Sequence, residues 1–319
     1  MKAVRVHGGP DAGGAVPHDF SSNANACGPC PAALAALQAA DAQRYPDPAY
    51  AALRNRLGQY HGVPPERIVI GGSGSELIFR FTALAARHGV RRVGVPRHGF
   101  GDYAAAAAAC QLELDPDGTS AGLVWTCEPS SPLGQADPRI RSSEGHLNIC
   151  DLAYEPLRLS GTRTPLPARL WQLWTPNKAL GLPGVRGAYA VAPEGAEEAV
   201  QALDALAPSW VLGAHGVALL HGWCEPPVRP WLEDCKALLR EWKRRQVALC
   251  ESLGWTVLPA QANFFVARAP LDPSAHALLR SHGVQVRDCA SFGLPKHVRL
   301  AVLPPASQDA LRQAVERLR

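Results

Sequence analysis

A short apolar run, Arg67-Ile68-Val69-Ile70, ends in Gly71-Gly72-Ser73-Gly74-Ser75, and a helical pattern over 76–88 begins at once. No other feature constrains the chain as much. A buried strand turning through glycines into a helix is the building unit of a parallel α/β sheet. The free N–H groups and positive dipole end of such a helix also make a ready seat for a phosphate. Taken alone, residues 71–75 serve equally well as an ordinary strand-to-helix turn.

The alternation continues. Strands are expected at 92–95, 122–127, 147–150 and 170–174, and helices at 31–42, 48–60 and 102–110. In the second of these helices Tyr50, Leu53, Leu57 and Tyr60 recur at i, i+3/i+4 and so share one buried face. Past residue 205 the texture changes to helices at 210–223 and 230–253, strands at 255–258, 263–267 and 298–302, and a last helix at 307–318. We therefore expect an N-terminal arm (1–31), a large α/β domain with a mostly parallel sheet (32–204) and a smaller α+β domain (205–319). A chain of 319 residues is long enough for both cores.

Composition narrows the function classes. A formal charge of +4, spread along the chain with no basic block beyond Lys243-Arg244-Arg245, does not suggest nucleic-acid binding. No apolar stretch reaches the ~18 residues of a membrane span, and the first residues lack the apolar core of a signal peptide. Nine scattered cysteines point to a reducing, cytoplasmic setting. Cys27-Gly28-Pro29-Cys30 has redox-pair spacing, but residues 21–26 before it are small and polar rather than a buried strand. It reads as a turn before the helix at 31–42. The histidines, His98, His215 and His221 among them, show no metal-ligand spacing and read as structural or surface residues.

The chemistry lies in an ordered set. Asp151 follows an apolar strand and could be no more than a helix cap; Lys178 follows another and could be a surface lysine. In chain order, however, the residues supply a phosphate cradle, an aromatic, a hydroxyl donor, a carboxylate, a lysine and an arginine. That is the set a pyridoxal-phosphate site needs.

The motifs resemble those of class I/II aminotransferase-fold proteins, in the branch holding histidinol-phosphate aminotransferase and threonine-phosphate decarboxylase, over nearly the whole chain. The fold this implies is the three-layer αβα aspartate-aminotransferase type with a small C-terminal domain. Ser73, Gly74 and Ser75 match the phosphate loop, and Phe100-Gly101-Asp102-Tyr103 the element whose first aromatic stacks on the cofactor ring. Asp151-Leu152-Ala153-Tyr154 resembles "DEAY", placing Asp151 against the ring nitrogen and Tyr154 on the ring oxygen. Thr175-Pro176-Asn177-Lys178, followed by Gly181-Leu182-Pro183-Gly184-Val185-Arg186, resembles the lysine motif. Lys178 would carry pyridoxal 5'-phosphate, with Thr175 and Arg186 on its phosphate. Arg44-Tyr45-Pro46-Asp47 resembles "RYPD", which implies a homodimer with Tyr45 reaching the partner's cofactor. Arg299, in a small-domain strand, would bind the substrate carboxylate.

Three departures stand out. The family's "NPNNPTG" reads Glu128-Pro129-Ser130-Ser131-Pro132-Leu133-Gly134, which leaves Ser131 as the ring-oxygen donor. The stretch from Gly134 to Asp151 is too short for the usual helix plus strand. Asn177 stands where serine or threonine is common before the lysine.

The arm bears on the reaction. His7-Gly8-Gly9 resembles the "HGG" of threonine-phosphate decarboxylases, Val286-Arg287-Asp288-Cys289 their "IRxC", and Asn23 falls on a substrate-contacting asparagine. His7, Gly8, Asn23, Arg287 and Arg299 would then bind the substrate. The resemblance thus favours decarboxylation of O-phospho-L-threonine, as in cobalamin biosynthesis, over a histidinol-phosphate aminotransferase-like reaction on a phosphorylated amino acid. A weakened relic or a cofactor-binding regulator are the remaining readings. Against a regulator, the arm is too short for a helix-turn-helix.

Overall fold

The computed structural model describes residues 8–10, 12–141 and 147–318. The chain runs through β1 (His18–Asp19), α1 (Pro31–Gln38), α2 (Ala51–His61), β2 (Ile68–Gly71), α3 (Gly74–Arg87), β3 (Arg92–Gly94) and α4 (Gly101–Ala109). It continues through β4 (Glu113–Asp115), β5 (Leu123–Cys127), β6 (Leu147–Asp151), β7 (Trp171–Trp174), β8 (Ala188–Val191) and α5 (Glu197–Ala205). The C-terminal part holds α6 (Ala214–Trp223), α7 (Val228–Ser252), β9 (Thr256–Val257), β10 (Phe264–Arg268) and α8 (Pro273–Ser281). Last come β11 (Val284–Gln285), β12 (Arg287–Asp288), β13 (His297–Ala301) and α9 (Pro305–Glu316).

Among the described residues the central sheet has seven strands in the order β2-β8-β7-β6-β5-β3-β4. Pairs β7/β6, β6/β5, β5/β3 and β3/β4 are parallel, while β8 runs antiparallel to both neighbours. Strands covered on both faces read as continuous apolar runs, and every residue of β2, β5 and β8 is buried. On one face α3, α4 and α5 pack through Leu77, Phe81, Tyr103 and Val200; on the other α1, α2 and α6 pack through Leu37, Leu57 and Leu220. The result is a three-layer αβα unit. A four-stranded sheet, β12-β13-β10-β9, carries the C-terminal part, with α7 and α9 packed together beside it.

The carboxyl ends of β2, β3, β5, β6 and β7 all face one edge of the large sheet. In open α/β sheets that edge is where ligands bind. The arm crosses to it: β1 pairs in parallel with β11, Ala301 N donates to Phe20 O, and Asn25 N then donates to Lys178 O at 2.9 Å.

Several elements differ from expectation, each for a local reason. Instead of running to 42, α1 stops at Gln38, and Asp41 Oδ1 instead accepts from Gln43 N at 2.9 Å, a side-chain turn competing with the helix. The next helix starts at 51 rather than 48 because Asp47 takes the N–H groups of Ala49 and Ala51, and Tyr50 sits left-handed at φ 51°. Trp210 does not open a helix; at φ 50° its ring stacks on Tyr45 with centroids 4.4 Å apart. The short stretch before Asp151 holds a 3-10 turn, Pro138–Arg141, in place of a helix. Asp137 supports that turn by accepting from Cys127 N at 3.1 Å and Arg139 N at 3.0 Å.

Under α6, Tyr189 Oη lies 2.8 Å from His61 Nε2 and accepts from Trp223 Nε1 at 3.1 Å. Burial, with the charges of Arg163 and Arg229, lowers His61 from 6.5 to about 4. The unfolded chain therefore binds this proton first as pH falls. The stabilising effect of a neutral His61 is complete above pH 6.5 and is lost towards pH 4, on the order of 3 kcal/mol. Urea denaturation from pH 7 to pH 4 should show this slope, flattened in His61→Gln. An equally steep slope in the variant would assign the titration elsewhere.

Candidate active site

The expected phosphate seat lies where β2 turns into α3. Ser73 Oγ caps the helix by accepting from Glu76 N at 3.0 Å, and Glu76 Oε2 reaches back to accept from Gly72 N at 3.1 Å. This reciprocal capping fixes the first turn. A Cβ at residue 74 would lie 2.7 Å from Thr175 Cγ2, so any larger residue there would displace Thr175. Thr175 Oγ1 is buried beside that turn with no hydrogen-bond partner among the described residues. A buried hydroxyl left unmatched at a helix N-terminus suits a phosphate oxygen. Arg186, by contrast, is exposed.

Asp151 closes β6, 8 % exposed. Its Oδ2 accepts from Tyr103 Oη at 2.8 Å and its Oδ1 from Ala153 N at 2.9 Å. Burial raises its carboxyl above the ordinary value, while Tyr103, Ala153 N and the Lys178 charge pull it back. Lys178 follows β7, half-buried, with Nζ 5.2 Å from the centroid of the Tyr154 ring. Phe100 precedes α4 and meets Tyr103 edge to face. Asn177 is turned to structure: its Nδ2 donates to Pro183 O and Val185 O at 3.3 Å each, shaping the loop that carries Lys178.

The other wall comes from the small sheet and the arm. Arg287 and Arg299 are register partners on β12 and β13, both buried, and both guanidinium groups lie over Phe292 at 4.8 and 5.7 Å. Arg287 Nη2 donates to Ser291 Oγ at 2.7 Å. Burial and the neighbouring Arg299 charge lower Arg287 from its ordinary value. Arg299 donates to Ser131 Oγ at 3.3 Å and to Ser21 O at 3.0 Å. Asn23 joins the two walls. With its amide turned to satisfy both groups, the Asn23 side-chain oxygen accepts from Arg299 Nε and Nη1 at 3.2 Å each and, from the same position, lies 3.3 Å from Tyr154 Oη. Gly8 lies against Arg299; a Cβ would strike Ser21 O and come within 3.4 Å of Arg299 Nη2. Gly9, at φ 97°, donates its N–H to Ser21 Oγ at 2.8 Å. His7 lies outside the described residues.

Direct contacts thus join Gly8, Asn23, Ser131, Tyr154, Lys178, Arg287 and Arg299 in one group and Gly74 with Thr175 in another, and Tyr103 joins Asp151 to Phe100. Tyr45 stands apart, 78 % exposed on Trp210.

Two features went unread in the sequence. Glu128, wholly buried, accepts from Asp137 N at 2.7 Å and pairs with Arg158, which also holds Gln261 and Glu155. This network fixes the segment bearing Ser131 and explains the acid where the resemblance expects asparagine. A lone Glu–Pro gives no hint that an arginine thirty positions on will neutralise it. Tyr103, under Asp151, is the second; its place three residues after Phe100 on one helix face was the available signal. The Cys27 thiol is pushed up to about 12 by burial, opposite to what a reactive thiol needs.

Residues 17–318 match the family described as Aminotransferase class I and II. The chain belongs to that family. Such enzymes work with pyridoxal 5'-phosphate, and the cleft's cradle, carboxylate and lysine fit it; this is a pyridoxal-phosphate-dependent enzyme. A histidinol-phosphate aminotransferase of Symbiobacterium thermophilum is 32% identical, covering 94% of this chain and 90% of that one. The structure of histidinol-phosphate aminotransferase from Sinorhizobium meliloti, solved with pyridoxal-5'-phosphate, is similar with a TM-score of 0.83 at 21% identity, over 100% and 97% of the two chains. L-threonine-O-3-phosphate decarboxylase from Porphyromonas gingivalis gives 0.73 at 19% identity, over 90% and 93%. At those identities the two structures establish the aspartate-aminotransferase-like fold alone. No helix of the described residues is long and apolar enough to cross a membrane.

Proposed function

We propose that the protein acts on a phosphorylated amino acid and decarboxylates O-phospho-L-threonine, a step that serves cobalamin biosynthesis. The observation behind this reading is the buried pair Arg287 and Arg299, adjacent in register, with the arm laid on Arg299 through Gly8. Two guanidinium groups side by side present paired donors suited to anions. A substrate carrying both a carboxylate and a phosphate answers both, with Arg299 taking the first and Arg287 the second.

Ser73, Gly74, Ser75 and Thr175 would hold the cofactor phosphate, Phe100 would cover the ring, and Ser131 and Tyr154 would donate to its oxygen. Asp151 would accept from the ring nitrogen. When bound, the cofactor supplies a sink for the electron pair released as a bond to Cα breaks. The arginines decide which bond that is, because they fix how the substrate lies. Lys178 Nζ then moves a proton at Cα. Asn23, spanning Tyr154 and Arg299, ties the substrate wall to the cofactor wall. In a homodimer, Tyr45 would reach the second subunit's cofactor, which accounts for its exposure. Nine cysteines, all free, suit a cytoplasmic enzyme.

The second reading, a histidinol-phosphate aminotransferase-like activity, is favoured by the 32% identity to the enzyme of that name. The test is to supply the cofactor-loaded protein with O-phospho-L-threonine and no 2-oxo acid, and to measure carbon dioxide. Catalytic release is expected. No release, together with glutamate formation from histidinol phosphate added with 2-oxoglutarate, would overturn the decarboxylase reading and support the aminotransferase.

A further inference from the structure

We propose that Tyr103 is a positioning residue that holds Asp151 ionised and correctly turned towards the cofactor's ring nitrogen. This rests on the reading of Asp151 given above. Among the described residues each Asp151 oxygen has one donor, Tyr103 Oη on Oδ2 and Ala153 N on Oδ1, so the carboxylate plane is fixed from two directions. The backbone donor belongs to the turn after β6. The phenol comes from a different element, α4, one turn beyond Phe100.

Tyr103 cannot swing away. Its ring is 1 % exposed, stacked on Trp125 with centroids 5.1 Å apart at 16°, and met edge-on by Phe100 at 6.0 Å. Cys127, the register partner of Asp151, gives its thiol hydrogen to Pro129 O at 3.4 Å. Tyr103 is therefore the one side-chain hydroxyl among the described residues shown donating to this carboxylate. A buried carboxylate without donors takes up a proton, and a neutral acid cannot pair with a protonated ring nitrogen. The same turn of α4 thus serves the ring twice: Phe100 faces it, and Tyr103 sets the charge beneath it.

The experiment measures affinity of the unloaded protein for pyridoxal 5'-phosphate and for its 1-deaza analogue, whose ring has no nitrogen to pair. Wild type, Tyr103→Phe, Tyr103→His and Asp151→Asn are compared. A hydrogen bond to a charged group is involved, so Tyr103→Phe is expected to bind the natural cofactor about 10- to 100-fold more weakly and the deaza analogue as wild type does. Tyr103→His, which restores a donor, should recover part of the loss. Equal weakening for both ligands would mean a merely structural tyrosine and would overturn the proposal. So would no weakening for either, provided Asp151→Asn weakens the natural cofactor and leaves the analogue unchanged. If Asp151→Asn weakens both alike or neither, the role assigned to Asp151 falls first.

Discussion

Lys178→Ala is expected to abolish the visible absorbance of the cofactor-loaded protein and to lower turnover at least about 1000-fold. The size follows from the two tasks proposed for the lysine, anchoring the cofactor and moving a proton at Cα. Among the groups around Asp151 and Tyr154, Lys178 supplies the amine: Tyr154 is a phenol, and both arginines are bound to the substrate wall. Spectroscopy and steady-state kinetics on the purified variant check both effects. The fold should survive, because Lys178 is held through its backbone, by Asn25 N, rather than through its ammonium group. A variant that kept the band, or turned over at wild-type rate, would remove Lys178 from the centre of the site.

Arg287→Ala is expected to act on the substrate instead. Truncating one partner of a buried charged contact costs about 2 to 4 kcal/mol, so kcat/KM for the phosphorylated amino acid should fall about 30- to 1000-fold. For the same amino acid without phosphate the change should be small, since Arg299 still meets the carboxylate. Relief of the repulsion between the register partners should leave the unloaded variant as stable as wild type or slightly more so. Kinetics on the two substrates, with thermal unfolding of the unloaded protein, decide the matter. An equal loss on both substrates would mean that Arg287 serves the site's shape and not the phosphate.

Much of this was legible in the sequence because it depends on local order. Isoleucine and valine ending in glycines, then Ser73 and Glu76, dictate strand, turn and capped helix within a dozen residues. The order of Asp151, Tyr154 and Lys178 after apolar runs likewise follows from parallel strands that end at one edge. Contacts between distant segments were not legible. Pairing of Glu128 with Arg158 depends on how two loops meet, and β1 with β11 joins residues at opposite ends of the chain. Strands as short as two residues carry no periodicity, and the four-residue run of β8, Ala188–Val191, gave its antiparallel course no distinguishing mark. Side-chain turns at Asp41 and Asp47 shortened helices whose residues otherwise favour them.

The arm's pairing has a consequence for biosynthesis. Residues 18–20 leave the ribosome well before their partners at 284–285 and 301 are made. The large sheet can assemble while the chain is still growing. Arg299 and the strand under it cannot yet meet Asn23 or Gly8. A nascent chain can thus build the strand and loop around Lys178 ahead of the proposed substrate wall, which is complete only once residues 284–301 have been made.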